Sequence, residues 1–155
     1  SRLTSCYNNS NIIKGVKDVQ KTIRVAAAII IQDHKVFAAQ RGPERSLAHL
    51  WEFPGGKIED EESPRETLIR EIKEELLIEV DVASEAFDQV RHDYDFGRVE
   101  LTTFICRLKN EAPQLTEHMA CKWLAVDQLL DVDWARADIP TVEKLRDQWK
   151  SVSRD

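Results

Sequence analysis

The stretch that decides the fold is residues 55–78, which read GGKIEDEESPRETLIREIKEELLI. Within it, Ser63 is a good helix cap, Pro64 suits the first helical turn, and Glu66 completes a Ser-x-x-Glu capping box. Apolar residues then recur at helical spacing and predict a buried stripe on a helix that ends near Leu76. The members of that stripe are Leu68, Ile69, Ile72 and Leu76.

Three glutamates on this helix, Glu71, Glu74 and Glu75, stand at positions i, i+3 and i+4 and share one face. Like charges at this spacing repel each other by roughly 0.2–0.5 kcal/mol per pair. Carboxylate oxygens at this density suit Mg²⁺, or Mn²⁺ as the alternative ion, better than zinc. By themselves the glutamates also fit a solvated acidic face in which Arg70 pairs with Glu74.

The residues before the helix favour the metal site. Gly55 and Gly56 let backbone groups approach an ion or a phosphate closely. Lys57 follows directly and adds a positive charge for phosphate oxygens. A loop of this kind in front of an acidic helix points to a phosphate-bearing substrate bound together with a divalent cation.

The complete spacing resembles the Nudix box of the Nudix hydrolases. Gly56 is followed by five residues, Glu62, seven residues and then Arg70-Glu71-Ile72-Lys73-Glu74-Glu75. Leu77 stands where the family pattern has glycine, and this is the one departure. Family helices end there on a left-handed residue, which glycine adopts easily. We expect Leu77 to pack in the core instead, because a leucine in that conformation is unusual.

The resemblance implies an α+β fold, an α/β/α sandwich around a mixed β-sheet with a catalytic loop-helix-loop. The apolar run at 23–31 has the character of a central strand covered on both faces. Further strands are predicted at 36–40, 78–82, 87–93, 99–107 and 122–126, and a last helix at 140–152. Residues 1–22 are interpreted as an N-terminal extension of unknown role, 23–152 as a single Nudix domain and 153–155 as a C-terminal tail.

The resemblance also implies roles for individual residues. Glu117, placed ahead of Trp123, matches a further family glutamate that follows the box. Glu74 or Glu117 would deprotonate or orient the attacking water, with Glu71 beside them. Lys57 and Arg41 would hold phosphate oxygens. The implied metal ligands are the Gly56 carbonyl and the side chains of Glu71, Glu74, Glu75 and Glu117.

The segment from Trp51 to Lys57 resembles the MutT-type branch, which hydrolyses nucleoside triphosphates to a monophosphate and pyrophosphate. Residues 137–140 resemble the CTP pyrophosphohydrolases of that branch. Phe53 would then be an apolar wall for the base, and Asp138, which only accepts when ionised, would favour cytosine. Asp138 is equally well explained as the cap of the last helix. Tyr94 and Arg98 are candidates for the pocket lining or for plain strand-end roles.

Four functions fit these observations. The first is a Mg²⁺-dependent nucleoside triphosphate pyrophosphohydrolase acting on cytosine nucleotides. The second is an 8-oxo-dGTP diphosphatase that cleans the nucleotide pool, and the third is hydrolysis of ADP-ribose or another diphosphate conjugate. The fourth is a nucleotide sensor without catalysis, although a sensor would be expected to lose box glutamates.

Composition limits the kinds of partner and cellular compartment that we expect for this protein. The chain has 155 residues and a net charge of −6, which argues against coating a nucleic acid polymer. No apolar run approaches the roughly 18 residues of a membrane span. The sparse cysteines favour reduced thiols, so we expect a cytoplasmic protein, monomer or homodimer, whose partner is its nucleoside triphosphate substrate. The histidines lack metal-ligand spacing and are expected at turns or on the surface: His34, His49, His92 and His118.

Overall fold

The computed structural model describes residues 21–109 and 111–153. The expected extension, 1–22, lies outside the described residues except for its last two positions. The same holds for the end of the expected tail, 154–155. Within the described part, Ser153 is buried and is therefore packed with the domain.

The described residues form one sheet and a small number of helices. The strands are β1 (Thr22–Gln32), β2 (Lys35–Gln40), β3 (Trp51–Glu52), β4 (Gly55–Lys57), β5 (Val80–Val82), β6 (Asp88–Tyr94), β7 (Gly97–Leu108) and β8 (Ala120–Leu124). The helices are α1 (Pro64–Leu76), α2 (Ile139–Asp147) and α3 (Trp149–Val152), with short 3₁₀ turns at Val126–Gln128 and Arg136–Asp138.

The sheet is mixed and centred on β1. Its main path runs β3-β2-β1-β7-β5, while β4 pairs with β1, β6 with β7 and β8 with β2. The β1–β7 pair is parallel, and the other named pairs are antiparallel. Strand β1 is buried on both faces, which explains why its sequence loses the two-residue alternation.

Each face of the sheet has its own core, and a helix covers each. Ala26, Ala28 and Ile30 of β1 pack with α1 through one cluster of buried residues. The alternate residues of β1 share the other cluster with Val142 and Leu145 of α2. This arrangement confirms the expected sandwich around a mixed sheet.

Helix α1 begins as predicted but is rotated from the predicted orientation. The capping box is present: the Glu66 amide donates to Ser63 Oγ over 3.1 Å, and the Ser63 amide donates to Glu66 Oε1 over 2.9 Å. Ile69 is 42% exposed, so its assignment to the buried stripe is wrong. The buried residues of α1 are Thr67, Leu68, Glu71, Ile72, Glu75 and Leu76. Two of the three glutamates Glu71, Glu74 and Glu75 therefore face inward.

The expectation that Leu77 packs in the core is wrong. Leu77 has φ 56° and ψ 35°, which is the left-handed conformation, and it is 50% exposed. Its amide donates to the Lys73 carbonyl over 3.1 Å and closes the last turn of α1. Leu77 therefore takes the left-handed position in which the sequence resemblance expects glycine.

The last predicted helix, 140–152, is two helices. Gln148 separates α2 from α3 with φ −105° and ψ 16°, outside the helical values. The predicted strand at 78–82 is shortened to β5, and the strand at 122–126 begins two residues earlier, at Ala120.

Candidate active site

Two adjacent glycines bring β4 close to β1 and to α1. Gly55 pairs with Ala27 and Gly56 with Ala26. A Cβ atom on Gly55 would collide with the Ala26 backbone, and one on Gly56 would collide with the Glu71 carboxyl group. The Glu71 side chain therefore lies directly against the Gly56 backbone, as a shared site for both residues requires.

Glu75 is the most unusual group of the site. It is fully buried, and neither of its carboxyl oxygens has a hydrogen-bond partner among the described residues. Burial, and then the nearby charges of Glu52, Glu71 and Glu117, raise the pKa of Glu75 well above its ordinary value. A buried acceptor surrounded by other carboxylates is costly unless a cation balances it. The donor set therefore fits a hard divalent ion.

Arg70 holds the remaining box carboxylates. Its guanidinium lies 2.8 Å from Glu62 Oε2, 2.9 Å from Glu71 Oε2 and 3.1 Å from Glu74 Oε1. The hydrogen bond from Arg70 is the main reason why the pKa of Glu62 falls to about 2. Among the residues that the structure describes, no three acidic, histidine or cysteine side chains converge in ligating geometry. Glu71 and Glu74 point to Arg70 instead.

The loop between β7 and β8 brings Glu117 near the end of α1. Thr116 donates its amide to the Glu75 carbonyl over 3.1 Å and its hydroxyl to the Glu74 carbonyl over 2.9 Å. Glu117 follows, with Oε1 lying 2.7 Å from an Arg45 guanidinium nitrogen. Its charge is close enough to Glu75 to raise the pKa of that residue. The tertiary structure thus joins Glu117 to the box glutamates.

The two residues expected to hold phosphates are placed differently. Lys57 is half-buried at the end of β4, next to Gly56. Arg41 is fully buried: its Nη1 donates to Glu52 Oε1 over 3.1 Å, and its Nε donates to the Ser46 carbonyl over 2.7 Å. In this structure Arg41 therefore binds Glu52 and the following loop instead of an accessible phosphate position.

Three of the four residues expected near the base are gathered together. Phe53 packs against Trp134 with ring centroids 4.8 Å apart. The Phe53 amide donates to Asp138 Oδ1 over 3.3 Å, and Tyr94 accepts from the Ala137 amide over 2.9 Å. Asp138 is fully buried and makes no side-chain capping bond to α2, so the capping explanation lacks its hydrogen bond.

Arg98 pairs with an acidic residue of the neighbouring strand. It is the second residue of β7, at the turn that joins β6 to β7. Its Nε donates to Asp93 Oδ1 over 2.8 Å, and the pair is largely exposed. The position fits the strand-end role that the sequence left open for it.

Two buried polar residues of the site were not predicted. His118, expected on the surface, has a side chain only 4% exposed, and its Nε2 lies 2.9 Å from Glu52 Oε2. Glu52 is itself buried in β3 between Trp51 and Phe53. A glutamate flanked by two buried aromatics was the available signal, because such a charge needs a buried partner. The sequence did not indicate that His118 is that partner.

Comparison with known proteins decides the family. The model of the NUDIX domain matches residues 21–145. This chain belongs to the Nudix family. A relative named CTP pyrophosphohydrolase, from Escherichia coli strain K12, is 40% identical over 124 residues, covering 79% of this chain and 90% of the relative. An 8-oxo-dGTP diphosphatase of Proteus vulgaris is 39% identical over 94 residues, covering 59% of this chain and 83% of the relative.

Solved structures agree with this membership. The solution structure of a MutT protein of the Nudix hydrolase family, from methicillin-resistant Staphylococcus aureus 252, has a TM-score of 0.70 at 45% identity and covers 83% of this chain and 98% of its own. The E. coli ORF135 protein has a TM-score of 0.73 at 35% identity, covering 88% and 96%. This Nudix protein is a hydrolase of the MutT-like type. None of its described helices is long and apolar enough to cross a membrane.

Proposed function

We propose that this Nudix hydrolase is a Mg²⁺-dependent nucleoside triphosphate pyrophosphohydrolase, with Mn²⁺ as the alternative ion. It would convert a nucleoside triphosphate and water into the monophosphate and pyrophosphate. The observation that carries the proposal is the buried carboxylate of Glu75, which has no hydrogen-bond partner in the described part of the chain and lies near the charges of Glu71 and Glu117. A nucleotide sensor would have no need to retain so costly a group.

The proposed ligands of the ion are the Gly56 carbonyl and the carboxylates of Glu71, Glu74, Glu75 and Glu117. When bound, the ion neutralises phosphate charge and makes water a better nucleophile at neutral pH. Glu74, whose side chain is 56% exposed, or Glu117 would orient the water and accept its proton. Lys57 would hold phosphate oxygens from the β4 side.

Product analysis tests this proposal directly. With Mg²⁺ and CTP we expect CMP and pyrophosphate in equal amounts, and no turnover in EDTA. Release of inorganic phosphate with CDP would contradict the proposed products. Nucleotide binding without any turnover would identify a sensor.

For the base, we propose cytosine. The relative named CTP pyrophosphohydrolase supports this choice, and so does the grouping of Phe53, Tyr94 and Asp138. An ionised Asp138 accepts hydrogen bonds, as the amino group of cytosine requires and the carbonyl of uracil does not. Because Asp138 is fully buried, a base reaches it only after neighbouring side chains move.

The second candidate, an 8-oxo-dGTP diphosphatase, is favoured by the relatives that bear that name. A panel of kcat/KM values for CTP, dCTP, UTP and 8-oxo-dGTP separates the two. We expect cytidine nucleotides to exceed UTP clearly and Asp138→Asn to shrink that gap, because an amide also donates. A tenfold advantage of 8-oxo-dGTP over dCTP would replace the cytosine proposal with pool sanitation.

A further inference from the structure

A buried chain of polar side chains links the Glu117 loop to β2 and β3. Arg41 Nη1 donates to one carboxyl oxygen of Glu52 over 3.1 Å, and His118 Nε2 lies 2.9 Å from the other oxygen. All three side chains are almost completely buried. We call this chain the Arg41–Glu52–His118 bridge. None of its members belongs to the Nudix box, and the proposed reaction assigns none of them a step.

The His118 ring is held by a single hydrogen bond within the described residues. An ionised carboxylate only accepts, so Nε2–H is the donor to Glu52. The other ring nitrogen, Nδ1, is buried and has no hydrogen-bond partner among the described residues. The orientation of the ring therefore depends on a donor at the Nε2 position alone.

The bridge acts on a short loop that is fixed at both ends. At one end Thr116 bonds the carbonyls of Glu74 and Glu75 at the end of α1. At the other end the Met119 amide donates to the Gln40 carbonyl of β2 over 3.0 Å. Between these anchors stand only Glu117 and His118. The side chain of His118 is thus the point at which the middle of the loop is tied to β3.

The Arg41–Glu52–His118 bridge lies close to the proposed metal site. Glu52 is near enough to Glu75 for its charge to raise the pKa of that residue. Arg41 and His118 occupy one oxygen each and keep the Glu52 carboxylate directed to them. The same bridge therefore holds the Glu52 carboxylate in place. Through His118 it also holds the preceding residue, Glu117, near the α1 glutamate Glu75.

We propose that His118 is a positioning residue for Glu117. Through its hydrogen bond to Glu52, it fixes the loop that holds Glu117 near Glu75. From there the Glu117 carboxylate, which pairs with Arg45 in this structure, can join the box glutamates in binding a divalent cation. The proposal rests on the metal-dependent function above. Groups that support a metal ligand typically change metal affinity or activity by about 10–100-fold when removed.

Two amide substitutions separate this role from packing. In His118→Gln the side-chain nitrogen lies three bonds beyond Cβ, as Nε2 does, so the donor to Glu52 is kept. In His118→Asn the nitrogen lies at the position of Nδ1 and falls short of Glu52. The exposed turn residue His34 provides the matched control, as His34→Asn makes the same chemical change away from the site.

The first experiment measures Mn²⁺ binding to the full chain without nucleotide. The EPR signal of the free ion reports how much Mn²⁺ is unbound. We expect His118→Asn to raise the Kd for Mn²⁺ about tenfold or more, with His118→Gln within threefold of the parent and His34→Asn unchanged. In the background of Glu117→Gln, His118→Asn should cause no further loss, since it acts through Glu117. The kcat with Mg²⁺ should follow the same order.

Several results would overturn the proposal. One is a His118→Asn variant that melts earlier yet binds Mn²⁺ as the parent does, which would show a purely structural role. Another is an equal further loss in the Glu117→Gln background, and a third is a parent that binds no Mn²⁺. If His118→Asn does not fold, Glu52→Asp takes its place: it keeps the charge for Arg41 but withdraws the acceptor from His118, and unchanged Mn²⁺ affinity would then contradict the proposal.

The function and the inference can fail separately. A parent that binds Mn²⁺ but releases no pyrophosphate contradicts the proposed reaction, while the Gln and Asn comparison still decides the role of His118. Conversely, a parent with full pyrophosphate release whose Mn²⁺ affinity does not respond to His118→Asn retains the function and loses the inference.

Discussion

Helix α1 and the β6–β7 hairpin both carry closely spaced charges, but they balance them differently. In the hairpin two acids face bases across the strands: Asp93 pairs with Arg98 at 2.8 Å and Glu100 with Arg91 at 3.1 Å. These pairs are largely exposed, and exposed pairs contribute little to stability. In α1, Glu75 is buried without a partner among the described residues. The unbalanced region is the one for which we propose a divalent cation.

The same two regions differ in backbone strain. The hairpin turn places glycine at its positive φ, since Gly97 has φ 147°. Helix α1 ends instead on Leu77 with φ 56°. A side chain in the left-handed region costs roughly 1–2 kcal/mol, and glycine does not bear this cost. The hairpin is thus relaxed in both charge and backbone, whereas α1 is strained in both.

Glu75→Gln should have the largest effect. We expect kcat to fall by more than the roughly 10–100-fold typical of groups that only support a ligand. In EDTA the variant should melt at a higher temperature than the parent at pH 7, because it removes a buried charge. The control is Glu79→Gln, an exposed glutamate just beyond α1, which should change neither quantity.

The stability gain of Glu75→Gln should depend on pH. Burial raises the pKa of Glu75 in the folded protein above its ordinary value of 4.5. Glu75 therefore costs the parent no stability below pH 4.5, and its cost grows as the pH rises above that value. The melting difference should accordingly open above pH 4.5 and close below. A variant that is less stable than the parent in EDTA at pH 7 would contradict the cost assigned to this charge.

Gly97→Ala should have the next largest effect. At φ 147° an alanine is strained, and its Cβ would lie 2.7 Å from the Lys21 carbonyl oxygen. We expect a loss of about 1–3 kcal/mol in the free energy of unfolding, measured by urea denaturation. An unchanged midpoint would show that the turn relaxes freely. Activity should be retained in the folded fraction.

Leu77→Gly should act in the opposite direction. Because the side chain is half-exposed, little packing is lost, and relief of the left-handed strain should add about 1 kcal/mol to the free energy of unfolding. The same denaturation experiment measures it. Destabilisation by several kcal/mol, as for a buried leucine, would mean that Leu77 packs more tightly than its exposure indicates.

Arg98→Ala should have the smallest effect. We expect kcat/KM to stay within twofold of the parent for CTP and Tm to change by less than about 2 °C. Arg98 lowers the pKa of Asp93 from its ordinary value of 3.8, so any contribution of the pair is present above pH 3.8 and lost as the pH falls below it. A large rise in KM would instead indicate that Arg98 contacts the substrate.

The sequence was a good guide to local structure. The capping box of α1 and the apolar central strand β1 were both predicted, because each depends on residues close together in the chain. The glycine segment was predicted as a loop, but Gly55–Lys57 form strand β4 by pairing with the distant β1. The errors have tertiary causes. Ile69 was assigned to the core by periodicity alone, but the fold turns α1 so that Glu71 and Glu75 occupy its inner face. The last helix was predicted as one piece, although α2 and α3 are separate helices.

The sequence by itself determined the Nudix box and its spacing, and helical periodicity alone places Glu71, Glu74 and Glu75 on one face. Only the tertiary structure decided which of those carboxylates is buried and what stands opposite it. Glu117, His118 and Glu52 meet there through strand pairing and a loop that crosses from α1 to β2. Such contacts depend on packing between distant segments, and burial rather than residue type sets the charge balance of the site.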